Sequence, residues 1–149
     1  MFITQISVYL ENNQGTLRSL TKMLADNQID MLALSVADTA HFGIVRIVVR
    51  ESDVDKTLTV LRVNGFMAKK NHVLCAAVRN EPAGLHRVLA VIEENDISIE
   101  YMYSFNYNIE GNALIILRLS SSGMERAQIA ELLSAKGIHF VSQDAVNAL

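Results

Sequence analysis

The sequence predicts an α+β protein built from two tandem units of the order βαββαβ. Two observations lead to this class. The chain repeats itself at a spacing of 68 residues, as between Asn12 and Asn80, and within each repeat the apolar spacing alternates between that of strands and that of helices. Further pairs at this spacing are Leu17 and Leu85, Leu20 and Val88, Leu24 and Ile92, Asn27 and Asn95, Ile29 and Ile97, Gly43 and Gly111, Ile47 and Ile115, and Arg50 and Arg118.

The repeats define two expected domains, over residues 1–70 and 71–149. No linker rich in proline or glycine separates them, so we do not expect them to tumble independently. Gly65 and Gly137 are 72 residues apart, which indicates about four extra residues in the second repeat, near the loop at 120–123.

Each repeat begins with a strand pattern followed by a helix pattern. Ile6, Val8 and Leu10 alternate with less apolar residues, as in a strand with one face on a core. Helical spacing follows at Leu17, Leu20 and Leu24 in the first repeat and at Leu85, Val88, Leu89 and Ile92 in the second. The remaining predicted elements are second strands at 31–37 and 99–107, third strands at 43–50 and 112–119, second helices at 55–64 and 125–136, and fourth strands at 66–69 and 139–142. This order is the ferredoxin-like arrangement, an antiparallel sheet with both helices on one face.

Charge and composition exclude nucleic acid and membrane as expected partners. The formal net charge is -3, and lysine and arginine are scattered rather than clustered. The predicted third strands are aliphatic, whereas an RNA-binding unit of this fold needs aromatic residues there. No apolar run approaches the roughly 18 residues that span a bilayer, and no leader is recognisable, so we expect a cytoplasmic protein.

The sequence predicts neither an enzyme nor a metal or cofactor site. The four histidines show no ligand spacing, and the single cysteine, Cys75, lies in an apolar run that favours a buried structural thiol. Glu93 and Glu94 fall in a predicted helix and are interpreted as its solvated face. The serines at 120–122 have no evident base nearby in the sequence.

Both repeats place a polar corner between the first strand and the first helix. The corners read Asn12-Asn13-Gln14-Gly15-Thr16-Leu17 and Asn80-Glu81-Pro82-Ala83-Gly84-Leu85. A strand that turns directly into a helix exposes the first backbone N–H groups of that helix, and a glycine lets a ligand approach the backbone closely. A carboxylate suits such a site, and an asparagine oxygen can accept from an ammonium group, so we predict a zwitterionic amino acid ligand. The alternative is that the asparagines only shape the turn or cap the helix.

These corners resemble the first loop of the ACT domain family, the small-molecule-binding βαββαβ modules of amino-acid metabolism. That loop commonly reads Asp or Asn, any residue, Pro, Gly, any residue, Leu. Gln14 stands where proline is usual, and Gly84 is displaced by one position. The resemblance implies two ACT units side by side as one extended sheet, with ligand where each corner meets the second strand of its neighbour, near Met31 and Ile99. Since Gly15 keeps the family position and Ala83 replaces it in the second repeat, we expect the first corner to bind better. We also expect Gly15→Val to leave the fold largely intact.

A stripe of aromatic residues on the second strand of repeat two indicates a partner surface. Tyr101, Tyr103, Phe105 and Tyr107 share one parity, and Val73, Cys75 and Ala77 are expected on the same sheet face. An exposed apolar face of this kind favours a homodimer formed by sheet stacking. The alternative function is a separate regulatory subunit that acts through a catalytic enzyme partner.

Overall fold

The computed structural model describes residues 1–11, 13–38 and 42–149. It contains two compact units: Thr4–His72, called here the N-terminal unit, and Met1–Ile3 together with Val73–Leu149, called the C-terminal unit. The domain boundary between residues 70 and 71 stays a prediction.

The N-terminal unit has the predicted element order. Its elements are β1 (Phe2–Glu11) from Thr4 onward, α1 (Thr16–Asp26), β2 (Ala33–Asp38), β3 (Phe42–Val48), α2 (Glu51–Val63) and the first part of β4 (Met67–Arg79). β3 lies between β1 and β2 and runs antiparallel to both, with Val45 opposite Val8 on one side and Val36 on the other. The Ser7 hydroxyl donates to Asn71 Oδ1 over 2.8 Å, which ties β1 to the start of β4.

The C-terminal unit repeats this order as far as its second helix. It consists of the rest of β4, α3 (Gly84–Glu93), β5 (Ser98–Ile109), β6 (Asn112–Ser120), α4 (Arg126–Ala135) and α5 (Gln143–Asn147). β6 is antiparallel to both β4 and β5, so that Leu117 stands opposite Leu74 and Met102. The α+β class and the two tandem antiparallel units are therefore confirmed.

The fourth strands differ from prediction. Met67 begins a strand that continues to Arg79, so the predicted fourth strand of repeat one and the first strand of repeat two are one element. At the other end, residues 139–141 form a single bridge, between Phe140 and Ala76, rather than a full strand. The chain then enters α5, which the sequence did not predict and which the Ser142 hydroxyl caps by accepting from the Ala145 N–H over 3.2 Å.

The helices of each unit cover one face of its sheet, as the apolar periodicity predicts. The core of the N-terminal unit consists of Ile6, Val8, Leu10, Leu20, Leu24, Ile29, Val45, Ile47, Val49, Val54, Leu58, Leu61 and Ala68. The core of the C-terminal unit consists of Leu74, Ala76, Val78, Ile92, Ile97, Ile115, Leu117, Leu119, Ile129, Ala130, Leu133 and Ile138. Burial of these side chains is the main driving force for each unit.

The prediction of an exposed apolar sheet face in the second repeat is wrong in part. Tyr103 stands opposite Ile116, which in turn stands opposite Cys75, while the neighbouring Met102 packs on the helix-side core. The row containing Tyr103 therefore lies on the sheet face away from the helices, as predicted. However, Val73, Cys75 and Phe105 are buried within the single chain. Burial raises the pKa of the Cys75 thiol to about 12, which accords with a structural role.

Among the described residues, none of the helices has the length and apolar character to cross a bilayer. Within the same ranges, no group of three or more His, Cys, Asp or Glu side chains is arranged to hold a metal ion.

Candidate functional site

Gly15 is the residue at which the first corner changes from strand to helix. β1 ends at Glu11 and α1 begins at Thr16, with Gly15 as the N-cap residue in the left-handed conformation at φ 87° and ψ -5°. A Cβ atom placed on Gly15 would meet no atom within 4 Å. The backbone at Gly15 is thus open to close approach, and its φ is one that glycine adopts without strain.

Hydrogen bonds within the corner hold its shape. The Asn13 N–H donates to the Glu11 carbonyl over 2.8 Å, and the Thr16 hydroxyl donates to the Asn13 carbonyl over 2.9 Å. The Asn13 side-chain NH₂ donates to Glu11 Oε2 over 3.0 Å, which orients the amide and leaves its oxygen as an acceptor. Asn12 lies outside the described residues.

The start of α1 has backbone donors for which the described residues provide no partner. As a glycine, the N-cap residue has no side chain that could accept from them, and the first turn of α1 contains no acidic residue. Ser19 N–H donates to the Gly15 carbonyl over 3.0 Å, whereas the N–H groups of Leu17 and Arg18 precede the first intrahelical bond. Asn13 therefore does not cap α1, but its hydrogen bonds with Glu11 and Thr16 accord with the alternative that this residue shapes the turn. The positive end of the helix dipole is available to an anion, and its interaction with one negative charge is worth about 0.3–1 kcal/mol.

A cavity of about 220 Å³ adjoins the corner and lies wholly in the N-terminal unit. Its lining residues are Leu10, Glu11, Asn13, Thr16, Leu17, Val36, Ala37, Asp38, Gly43 and Val45. The structure therefore brings Asn13, Thr16 and Leu17 together with the end of β2 and the start of β3. Gln14 and Gly15 belong to the corner without lining the cavity, and Met31 packs against the core of the unit.

Two carboxylates line this cavity that sequence reasoning missed. Glu11 and Asp38 are both exposed residues at strand ends, on the same cavity as the first turn of α1. Negative side chains beside the positive end of a helix suit a ligand that carries both charges. The only sequence signal for them was their position at the ends of predicted strands.

The second corner has the same backbone path but carries a side chain at its left-handed residue. Ala83 is the N-cap residue in the left-handed conformation at φ 65°, where its methyl group is a steric cost. A Cβ atom on Gly84 would lie 2.1 Å from the carbonyl oxygen of Arg79, so the displaced glycine serves the packing of α3 on the end of β4. The Glu81 carboxylate forms an ion pair with Arg87.

The remaining predicted residues of the second corner lie at the surface. Asn80, Pro82 and Leu85 are exposed, and the Asn80 N–H donates to the Gly111 carbonyl over 3.3 Å. Ile99 is also exposed, at 36% of its full accessible surface.

Comparison with known proteins identifies the family. The family model described as ACT domain pair matches residues 1–149. The crystal structure of protein BT0572 from Bacteroides thetaiotaomicron is 32% identical, covers 100% of this chain and 98% of its own, and superposes with a TM-score of 0.84.

More distant solved structures show the same fold. The ligand-free regulatory subunit of aspartate kinase from Thermus thermophilus is 11% identical, with a TM-score of 0.62 over 89% of each chain. The corresponding subunit from Thermus flavus is 11% identical, with a TM-score of 0.56 over 89% of this chain and 92% of its own. Among curated proteins, no match was found. With the family model spanning every residue, this chain belongs to the ACT domain pair family.

Proposed function

We propose that this protein is a non-catalytic regulatory protein that binds a small amino acid at the corner between β1 and α1. The observation that carries the proposal is the open backbone at Gly15, left-handed and with no atom within 4 Å of a Cβ position, directly before uncapped helix N–H groups. A glycine of this kind is the feature that lets a ligand contact the backbone.

The charges around the cavity match a zwitterion. The ligand carboxylate accepts from the N–H groups at the start of α1, and its ammonium group donates to Glu11, Asp38 or the amide oxygen of Asn13. The apolar lining from Leu17, Val36 and Val45 is left for the ligand side chain. A volume of about 220 Å³ is below the roughly 300–1,000 Å³ of drug-sized sites, so the ligand is small.

The second corner is proposed as the weaker site. Its donors at the start of α3 are also uncapped, but Ala83 carries a methyl group where the first corner has an open glycine. The space in the Cβ direction of Gly84 is already taken by the Arg79 carbonyl, so Gly84 does not replace the open glycine of the first corner.

A screen of the proteinogenic amino acids tests the proposal. We expect one or a few to raise the melting temperature, and calorimetry to give a Kd between about 1 μM and 1 mM, because a few backbone donors and side-chain groups hold the ligand. At 100 times its Kd, the ligand stabilises the protein by about 2.7 kcal/mol. Absence of binding by every amino acid in calorimetry overturns the proposal.

A second candidate function is that of a separate regulatory subunit of a biosynthetic enzyme. The observation that favours it is the shared fold with the aspartate kinase regulatory subunits of two Thermus species. Purification of the tagged chain from its own cells then yields a catalytic subunit in stoichiometric amount. Recovery of the chain alone, together with amino acid binding, favours the stand-alone regulator.

The homodimer is a further part of the proposal. Exposed apolar side chains, among them Val36, Val63 and Met67, are compatible with self-association. Sedimentation velocity at micromolar concentration tests it, and a monomer contradicts it.

A further inference from the structure

A second cavity, of about 460 Å³, lies wholly within the C-terminal unit, between α3, the end of β4 and the turn after α4. We propose that this cavity binds a small organic anion with at least two negative charges, such as a phosphorylated or polycarboxylate metabolite. The proposal is independent of the amino acid site at the first corner, which lies in the other unit.

The charged side chains that line this cavity are all basic. Arg79, Arg87 and Lys136 line it together with His139, and no Asp or Glu is among the described residues that line it. Glu81 forms an ion pair with Arg87 and offsets one of these charges. Arg79 and Lys136 supply the remaining positive charge. A guanidinium group can bind a phosphate or carboxylate through two parallel hydrogen bonds, and an ammonium group adds a point charge.

The floor of the cavity is apolar. Its lining includes Ala77, Val78, Val88, Val91 and Ile138, of which Val78 and Ile138 are buried. Apolar lining with a few convergent polar groups is typical of sites for small organic molecules. A volume of about 460 Å³ also exceeds by far the roughly 30 Å³ that one water molecule occupies in the liquid. The ligand therefore carries a carbon skeleton besides its charged groups.

The internal repeat shows that the fold does not require these charges. At the spacing of 68 residues, Arg79 and Arg87 correspond to Glu11 and Ser19. At the spacing of 72 residues that relates Gly65 to Gly137, Lys136 and His139 correspond to Asn64 and Met67. All four basic positions are thus uncharged or acidic in the first repeat.

The N-terminal unit nevertheless has a cavity at the corresponding place. It measures about 450 Å³ and is lined by Ser19, Lys22, Met23, Asp26, Asn27, Asn64 and Phe66. Its lining contains one basic residue, Lys22, and one acidic residue, Asp26, and the two form an ion pair with each other. Each unit thus has a similar cavity, but of these two cavities only that of the C-terminal unit concentrates positive charge. Because the fold forms the cavity without this charge in the N-terminal unit, ligand binding explains the basic residues better than a requirement of folding does.

Calorimetric titration with inorganic pyrophosphate and, separately, with citrate tests the proposal at pH 7 and low ionic strength. We expect at least one of them to bind with a Kd below about 1 mM. The double variant Arg79→Gln, Lys136→Gln should weaken binding at least about ten-fold, because charge-assisted hydrogen bonds are lost. The matched control Lys70→Gln, Arg126→Gln removes the same charge from exposed positions outside the lining and should leave the Kd unchanged.

Binding of pyrophosphate alone assigns the site to phosphorylated ligands, and binding of citrate alone assigns it to polycarboxylates. The proposal is overturned if neither probe binds at concentrations several times the expected Kd of about 1 mM. It is also overturned if both double variants lose affinity equally. A measurement on the unaltered chain does not depend on the variants: the backbone amide signals of Gly84 and Gly137 should shift on titration, while that of Gly65 should not. Shifts confined to other residues also contradict the site.

Discussion

The carbonyl oxygen of Arg79 occupies the space where a side chain on Gly84 would begin, with only 2.1 Å between that oxygen and an ideal Cβ position. Gly84 is buried and starts α3, whereas Arg79 ends β4. This lack of space shows how closely the start of α3 packs on the end of β4. Gly15, in the first corner, has no such neighbour, so the two corners differ in the space beside their glycines as well as in sequence.

Substitution of Gly84 by alanine should destabilise the protein strongly. Backbone atoms of Arg79 cannot move aside as a flexible side chain can, so we expect a loss of about 1–3 kcal/mol or more in the free energy of unfolding. Urea denaturation measures the loss. Gly123→Ala is the matched control, because a Cβ there meets nothing within 4 Å and its φ is not in the left-handed region, so its effect should stay within about 0.5 kcal/mol. Equal stability of the two variants contradicts this account.

Reciprocal exchange at the two N-cap residues should act in opposite directions. Ala83→Gly relieves a left-handed alanine at φ 65°, while Gly15→Ala creates one at φ 87°. In urea denaturation, we expect Ala83→Gly to raise the free energy of unfolding and Gly15→Ala to lower it by about 1 kcal/mol. The same strain corrects the expectation that Gly15→Val leaves the fold largely intact, because a β-branched residue is disfavoured still more at positive φ. Stabilisation by Gly15→Ala would refute the reasoning.

Removal of the carboxylate at Asp38 should weaken amino acid binding. Asp38→Asn keeps the shape of the side chain and removes one negative charge that faces the ligand ammonium group in our proposal. We expect the Kd of the amino acid found in the screen to rise by about ten-fold, the effect of one charge-assisted hydrogen bond. Asp55→Asn, at an exposed position on α2, is the control and should bind as the unaltered protein does. Identical affinity of both variants would place the ammonium group elsewhere.

The stability of the protein should fall at alkaline pH because of Cys75. Its folded-state pKa of about 12 lies above the ordinary value of 9.0, since burial disfavours the thiolate. Above pH 9 the unfolded chain loses this proton while the folded chain keeps it, so the contribution is complete below pH 9 and declines as pH rises toward 12. Urea denaturation at intervals from pH 8 to pH 11 should show a shallower decline for Cys75→Ala than for the unaltered chain. Parallel curves would show that the thiol does not contribute.

The buried thiol should also resist modification in the folded state. A thiol reagent added at pH 8 should react with Cys75 far more slowly in the native protein than in urea, because both thiolate formation and access are suppressed. Equal rates in the two conditions contradict the burial of this side chain.

Periodicity determined much of this protein without reference to its tertiary structure. The two repeats, their element order and the core-facing parity of β1 and of the C-terminal part of β4 follow from apolar spacing, because each helix or strand must bury one face wherever it packs. The polar corners and the start of α1 beside Gly15 followed in the same way from local backbone chemistry.

Contacts between residues distant in sequence decided the rest. The cavity at the first corner needs Val36 and Asp38 from β2 beside Leu17 from α1, and only strand pairing brings them together. Whether the second glycine faces ligand or protein depended on Arg79, whose carbonyl reaches Gly84 through the fold of the corner. The continuity of β4 and the burial of Cys75 likewise depend on packing. A pattern along the chain records which side chains are apolar, but the atoms that fill the space beside each one are set by the pairing of strands and the docking of helices.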